Sequence, residues 1–220
     1  MQTLTQILPK ALATAHSSKA TRQQASDWSP TFDTYEPSLK VAASLAAQFV
    51  RDMAEGASPR WLTYTGVPGC GKTMLARQVF EAARAHNPGE TQTLWCTGTG
   101  FYDERRRRPR RVWLSATEFA DRMRRGEYDL PEYLGADFLV VLDDLGATRD
   151  TTNFIAEAVY RLCNARSGKW TVFTSNLDAD GISAQIDPRV TSRLIRDGGV
   201  AHRIAAGDYA LLKYSTPTTG

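Results

Sequence analysis

The chain is poor in the residues from which metal centres and disulfide frameworks are built, with three cysteines and three histidines in 220 residues. Cys70, Cys96 and Cys163 form no Cys-x-x-Cys pair, so the sequence encodes neither a zinc site nor a disulfide lattice, and a reduced, cytoplasmic compartment is expected. Long apolar runs are missing too. None approaches the ~18 residues of a membrane span, and residues 1–26 lack the apolar core of a secretory signal, so no membrane partner is expected. Internal repeats are absent. Charge of one sign is scarcely in excess: 27 Lys and Arg against 24 acidic residues leave +3, too little to imply a nucleic-acid partner from net charge.

What is present points one way. Gly66 to Thr73 read Gly-Val-Pro-Gly-Cys-Gly-Lys-Thr, a complete G-x-x-x-x-G-K-[ST] phosphate loop. Such a loop turns its backbone N–H groups inward around phosphates, which needs the unusual dihedrals and missing Cβ atoms of Gly66, Gly69 and Gly71. Lys72 reaches the β- and γ-phosphates, Thr73 offers a hydroxyl to Mg²⁺, and a helix starting there aims its N-terminus at the anion. The expected ATP-binding stretch is Gly66, Pro68, Gly69, Cys70, Gly71, Lys72, Thr73 and Met74. Near Lys72 and several N–H donors, Cys70 is expected to be an alkylatable thiol that ATP protects, with a buried, inert thiol as the alternative.

The surrounding pattern supplies the context that the motif requires. With 42% hydrophobic residues the chain can bury one substantial core. Residues 1–30 read as a flexible tail suited to serve as a partner-binding peptide, and 31–215 as one domain. A helix is predicted over 39–54 with Val41, Leu45 and Phe49 on its apolar stripe and Ala42, Ala46, Val50 and Met53 beside it, ending near Gly56. Strands at 61–65, 111–114, 138–142 and 171–174 then alternate with helices at 72–86, 116–125 and 153–164. Met74, Leu75, Val79 and Ala82 space as the buried face of the second helix. The order is that of a doubly wound α/β fold, a parallel sheet flanked by helices.

Phe138-Leu-Val-Val-Leu-Asp143-Asp144 is a buried-type strand that delivers two carboxylates where open α/β sheets bind ligands. It reads as Walker B: Asp143 holds Mg²⁺ together with Thr73, and Asp144 orients or activates the water that attacks the phosphate. The next strand ends Thr174-Ser175-Asn176, placing the Asn176 amide to read the γ-phosphate or the water; a plain turn is the alternative. Asp187-Pro188 caps a helix on which Arg189, Arg193 and Arg196 share a face. That face is either a solvated basic surface or the carrier of Arg193 as a finger for phosphates on a neighbouring subunit.

These motifs together resemble the DnaC/IstB-like branch of AAA+ ATPases. The resemblance rests on Thr31-Phe-Asp-Thr-Tyr35, Gly66 to Thr73, Leu142-Asp-Asp-Leu-Gly146, Thr174-Ser-Asn176, Val190-Thr-Ser-Arg193-Leu194 and Gly207-Asp-Tyr209. It implies a Mg²⁺-dependent ATPase that loads or remodels a hexameric replicative helicase on single-stranded DNA and self-associates in its ATP state. It also implies that Asn176 is sensor 1 and Arg193 the arginine finger. Alternatives are an IstB-like transposition helper, a DNA-binding adaptor that uses ATP as a latch with negligible turnover, and a small-molecule kinase. With 44 residues after Asn176, the helical lid of this family is expected to be absent or minimal, leaving Arg196 and Arg203 as competing candidates for a sensor 2 arginine.

One feature is local to this chain. Residues 101–126 hold nine arginines against four acidic residues. Within an insertion near 97–111, Arg105, Arg106, Arg107, Arg108, Arg110 and Arg111, flanked by Phe101, Tyr102 and Trp113, form a candidate DNA-binding run that tracks phosphates while rings stack on bases. A solvated insertion is the competing reading.

Overall fold

The computed structural model describes residues 27–32, 36–86, 94–95, 111–135, 137–147, 153–196, 198–209 and 211. Most of the tail, Cys96 and Arg105 to Arg110 lie outside them. Six parallel strands form one sheet in the order β2-β3-β4-β5-β1-β6: β1 (Trp61–Thr65), β2 (Leu94–Trp95), β3 (Arg111–Ser115), β4 (Leu139–Leu145), β5 (Trp170–Ser175) and β6 (Val200–Arg203). After β1 the chain moves to the β2–β4 side of the sheet, then returns, and after β5 it crosses β1 to reach β6. The carboxyl end of β1 therefore sits at a topological switch point, where open α/β sheets bind ligands.

The seven helices among the described residues cover both faces. The first, α1 (Pro37–Glu55), and α2 (Lys72–Ala82) lie on one; α3 (Ala116–Arg124), α4 (Leu130–Gly135), α5 (Phe154–Ala165), α6 (Ala179–Gln185) and α7 (Pro188–Leu194) pack on the other. Because both faces are covered, the central strands are apolar throughout and their residues divide by parity. Leu139 and Val141 of β4 face α1 and α2, whereas Val140 and Leu142 join the α3–α7 side. All five residues of β1 and all six of β5 are buried.

The predicted helix at 39–54 corresponds to α1, with a shifted stripe. Leu39, Ala42, Ala46, Phe49, Val50 and Met53 are buried, but Val41 is 50% exposed. The Tyr64 hydroxyl donates to the Ala42 carbonyl at 2.8 Å, and its burial pushes the phenol far above its ordinary value. That bond sets the Ala42 side of α1 against β1 and turns Val41 outward. The predicted helix at 72–86 is α-helical to Ala82 and finishes as a 3₁₀ turn over Ala83–His86. The elements β2, α4, α6 and β6 were not predicted.

Arg111 corrects the sequence reading. It opens β3 and is fully buried, its guanidinium donating to the Phe80 carbonyl and lying 4.7 Å over the Phe80 ring. It acts inside the core and is removed from the DNA-facing arginine set.

Arg166 is the second fully buried arginine. It follows α5 and donates to the carbonyls of Leu134 at 2.9 Å, Asp137 at 2.5 Å, Phe138 at 3.3 Å and Trp170, and to Thr171 Oγ1 at 3.1 Å. One planar cation thus satisfies chain ends from α4, β4 and β5 at once, which suits its rigid fork of donors. Burial pushes the guanidinium down to about 9, so it stays charged at neutral pH. Replacing it with methionine leaves several buried carbonyls without donors. Arg166→Met is expected to lower unfolding stability by about 3 kcal/mol or more, read as a lower urea midpoint with an unchanged slope.

Candidate functional site

The loop between β1 and α2 is held from three sides. Gly66 N–H donates to the Ser175 carbonyl of β5 at 3.2 Å, the Ile204 N–H after β6 donates to the Thr65 carbonyl at 2.8 Å, and the Tyr209 N–H donates to the Gly69 carbonyl at 3.2 Å. Two glycines are required by what surrounds them. A Cβ on Gly66 would stand 2.6 Å from the Ile204 carbonyl oxygen; one on Gly69, whose φ is 76°, would stand 2.2 Å from Asp208 Oδ1. The segment Ala206–Tyr209 is thereby held close against the loop and shares the cleft wall with it.

Lys72 is 4% exposed. Its ammonium donates to the Gly66 and Val67 carbonyls at 3.0 and 2.8 Å, so the loop's own oxygens hold the charge at the floor of the cradle. Cys70 Sγ lies 3.7 Å from the same Nζ, but the Cys70 side chain is 2% exposed and belongs to the core beneath the loop. The expectation of a reactive thiol is revised accordingly: alkylation needs the loop to open.

The two Walker B carboxylates occupy different environments. Asp143 is buried, and its Oδ1 accepts from Thr73 Oγ1 at 3.0 Å and from Thr174 Oγ1 at 2.5 Å. Thr174 Oγ1 in turn accepts from the Asp144 N–H at 2.9 Å. Burial, and then the charge of Asp144, raise the Asp143 carboxyl above its ordinary value against the opposing pull of Thr174, Thr73 and Lys72. Asp144 has φ 58° and sits at an irregularity in the β4–β5 pairing between Leu142 and Leu145. The strand, predicted to end at Leu142, runs through both aspartates, and this local twist turns Asp144 into the cleft while Asp143 stays on the sheet. Asp tolerates a left-handed backbone better than most residues.

A cleft of about 400 Å³ opens over the loop. Lys72, Thr73, Asp144 and Asn176 line its polar end, while Phe32, Leu39, Met74 and Tyr209 supply apolar wall, with Glu36 beside them. Met74, predicted to be buried, is 43% exposed and serves as wall. The sequence reading gave no role to Thr174, Glu36 or Leu39, and it had Phe32 and Tyr209 only as parts of matching motifs. The signal for Thr174 was a hydroxyl at the end of an apolar strand next to Walker B.

The donor set fits a hard cation held in company with phosphate. Mg²⁺ is bound through one or two carboxylates, phosphate oxygens and waters, and the paired Thr73 hydroxyl and Asp143 carboxylate provide the protein's share. Among the described residues no group of three or more His, Cys, Asp and Glu side chains is placed to hold a metal ion.

Arg193 lies elsewhere. With Arg196 it lines a crevice formed by Pro59, Arg60 and Trp61 at the start of β1 and by Ser167 and Gly168 ahead of β5. That is the opposite end of the sheet from the phosphate loop. The predicted cap of its helix is present, with Asp187 Oδ1 accepting from the Arg189 N–H at 2.7 Å and Pro188 at the first position. Asn176, by contrast, is brought together with Asp144 in the cleft wall.

The raised value of Asp143 has a measurable consequence. The folded protein holds this proton more tightly than the unfolded chain, so the ionised carboxylate costs stability at neutral pH. The cost disappears as pH falls from the raised value to the ordinary 3.8. An amide keeps the acceptor for both threonines and removes the charge. Asp143→Asn is expected to melt at an equal or higher temperature than the parent near pH 7, with the difference closing toward pH 4, while losing Mg²⁺-dependent nucleotide binding; thermal scans across pH and a magnesium titration check both halves.

Comparison of the sequence with family models and with curated proteins gave no match. Among solved structures, the DnaC helicase loader superposes with a TM-score of 0.58 at 19% identity, covering 79% of this chain and 93% of that one. DnaI gives 0.58 at 19%, covering 84% and 88%. The replication initiator DnaA bound to AMPPCP and single-stranded DNA gives 0.57 at 15%, covering 79% of this chain and 48% of that one. The likeness extends over nearly the whole of the DnaC and DnaI chains, and it shows that this chain shares their α/β P-loop fold.

Proposed function

We propose that this protein is an AAA+ ATPase that works on single-stranded DNA and loads or remodels a hexameric replicative helicase during DNA replication. The observation that carries the reading is the junction of Thr73 with the buried Asp143 and Thr174, beside a cleft whose wall holds Lys72, Thr73, Asp144 and Asn176. It lies on a fold shared with a helicase loader and with a replication initiator bound to an ATP analogue.

The residues divide the work. Lys72 exchanges its carbonyl partners for phosphate oxygens, and the inward N–H groups of the loop bind the remaining charge. Thr73 and Asp143 would hold Mg²⁺, which would supply charge neutralisation for the bound phosphates. Asp144 accepts a hydrogen bond from the attacking water and takes its proton, while the Asn176 amide fixes the water's other side. Arg193, at the far end of the sheet from its own loop, meets the phosphates of a neighbouring protomer, so turnover requires self-association in the ATP state.

A pair of exposed rings supports the nucleic-acid part of this reading. Tyr128 and Phe154 are 55% and 38% exposed and stand edge to face at 6.1 Å. Tyr128 follows the α3 end, where Arg122, Arg124 and the exposed Arg125 cluster. Paired exposed rings beside cations are the makings of a base-stacking platform. The run Arg105 to Arg108 with Arg110 adds phosphate contacts on this reading; Arg111 does not.

Two variants separate binding from chemistry. Lys72→Ala is expected to abolish ATP binding. Asp144→Asn keeps it and lowers turnover at least about 10²-fold, because asparagine is at ease at the left-handed backbone of position 144 and only the proton acceptor is gone. Nucleotide affinity and phosphate release, measured side by side, check the contrast; equal loss of binding in both would make Asp144 structural. A pull-down with ATP and Mg²⁺ tests the partner: recovery of a hexameric helicase supports the proposal, and recovery of a transposase instead overturns it.

For DNA, anisotropy titrations of oligothymidylate over a range of salt are expected to resolve two contributions. Tyr128→Ala and Phe154→Ala each weaken binding by about 1–3 kcal/mol with the salt slope unchanged. Replacing Arg105 to Arg108 with serine flattens the log-log slope by about 0.7 for each phosphate that is no longer neutralised. An unchanged slope would assign those arginines to a solvated insertion.

A further inference from the structure

We infer that Glu36 selects the nucleobase by accepting a hydrogen bond from the exocyclic amine of adenine, a role that rests on the reading of the cleft as an ATP site. The cleft has two chemically different ends. Lys72, Thr73 and the loop amides take phosphates at one, which leaves the wall of Phe32, Leu39, Met74 and Tyr209 for the flat, weakly polar part of a nucleotide. Among the described residues lining the cleft, Glu36 is the only charged one besides Lys72 and Asp144.

The apolar wall is fastened to the phosphate loop. The Thr31 N–H donates to Gln78 Oε1 at 2.8 Å, and Gln78 Nε2 donates to the Thr31 carbonyl at 2.9 Å. This reciprocal pair ties the segment that carries Phe32 to α2, the helix that begins in the loop. A Cβ on Gly71 would stand 3.3 Å from Leu39 Cδ2 and 4.0 Å from Phe32 Cε1, so both side chains lie close against the loop. Tyr209 reaches the same cleft from the segment after β6, with its N–H bonded to the Gly69 carbonyl.

Glu36 stands at the entry to α1, where its carbonyl accepts from the Leu39 and Lys40 N–H groups at 3.0 and 3.3 Å. The backbone is thereby fixed. The side chain is not spent on the helix: it makes no capping bond, and it has no hydrogen-bond or ion-pair partner among the described residues. The residue is half-buried. An ionised carboxylate is an acceptor only. It repels phosphate, which favours the triphosphate at the Lys72 end, and its complement on an apolar wall is an N–H donor carried by a ring. Adenine supplies that donor in its 6-amine. A hydrogen bond to a charged acceptor, away from bulk water, is strong enough to discriminate against a ring that lacks the donor.

The test compares ATP with purine riboside triphosphate, which keeps the ring, sugar and phosphates and lacks only the amine. Dissociation constants of both, and of GTP and 2′-deoxy-ATP, are measured by calorimetry with Mg²⁺ for the parent, Glu36→Ala and Glu36→Gln. The parent is expected to bind ATP about tenfold or more tighter than the amine-free analogue. Glu36→Ala is expected to bring the two within about twofold by weakening ATP, and Glu36→Gln, which keeps a neutral acceptor, to fall between; if the alanine variant does not fold, that intermediate ratio carries the test. A parent that binds the two equally, or variants that keep the parent's ratio, overturn the inference alone. So does an equal loss of both nucleotides, which is a packing effect, or a loss of discrimination confined to ATP over 2′-deoxy-ATP, which puts the carboxylate at the ribose. A parent that binds none of these nucleotides, or binds GTP more tightly than ATP, overturns the ATP reading beneath it.

Discussion

Everything at the site hangs on one carboxylate oxygen. Asp143 Oδ1 accepts from the first turn of α2 through Thr73 and from β5 through Thr174, while itself belonging to β4. In this sheet β5 stands between β4 and β1, so the strand that carries the phosphate loop and the strand that carries the acid are two positions apart, about 10 Å at ordinary strand spacing. No backbone hydrogen bond can span that interval. The two threonine hydroxyls close it, and the Asp144 N–H, bonded to the second of them, sets the direction of the next carboxylate. A change in any one of these groups is transmitted to the loop and both aspartates together, because they share hydrogen-bond partners rather than neighbouring positions in the sequence.

The protein accepts local costs at this point. A buried aspartate with a raised value, a lysine buried among carbonyls, a non-glycine residue at φ 58° and a strand irregularity all lie within one cleft. Elsewhere the central strands are apolar, helices cover both faces and the buried arginines donate to carbonyls, with Asn153 at φ 57° a further left-handed residue outside the cleft. A binding site requires groups whose bonds to their own fold can be exchanged for bonds to a ligand. Lys72 is the clearest case. Its carbonyl partners are weaker acceptors than a polyphosphate, so its present bonds hold it in readiness without competing with the ligand.

Much of this was legible in the residues. The strand at 61–65 and the helices beginning at 72 and 116 were set by apolar runs, a glycine-rich turn and the Ser115 cap, all of them local signals. The long apolar run before Asp143 announced a buried parallel strand, although it ended three residues later than periodicity indicated because a bulge lets pairing resume at Leu145. What the pattern concealed was of two kinds. The short elements α4, α6 and β6 carry too few residues to show a period, and they take shape from contacts with α5, α7 and β1. The other kind was residue-specific: an arginine at the end of a basic run reads as surface, yet Arg111 is drawn inside by the Phe80 ring and carbonyl, and a threonine in a strand reads as β-propensity, yet Thr174 is part of the site. Neither can be told from sequence because both depend on which side of the sheet a neighbour happens to fill.

The same geometry bears on assembly. The phosphate loop leaves the carboxyl end of β1, and Arg193 lines a crevice at its amino end, so about 15 Å of strand separates them within one protomer. No side chain crosses that distance through a packed core. On the proposed reading, a second protomer must bring its own arginine helix to the cleft, and the contact joins two different surfaces rather than a surface to itself. Such heterologous contacts repeat, generating a ring or an open helical filament according to the rotation between neighbours.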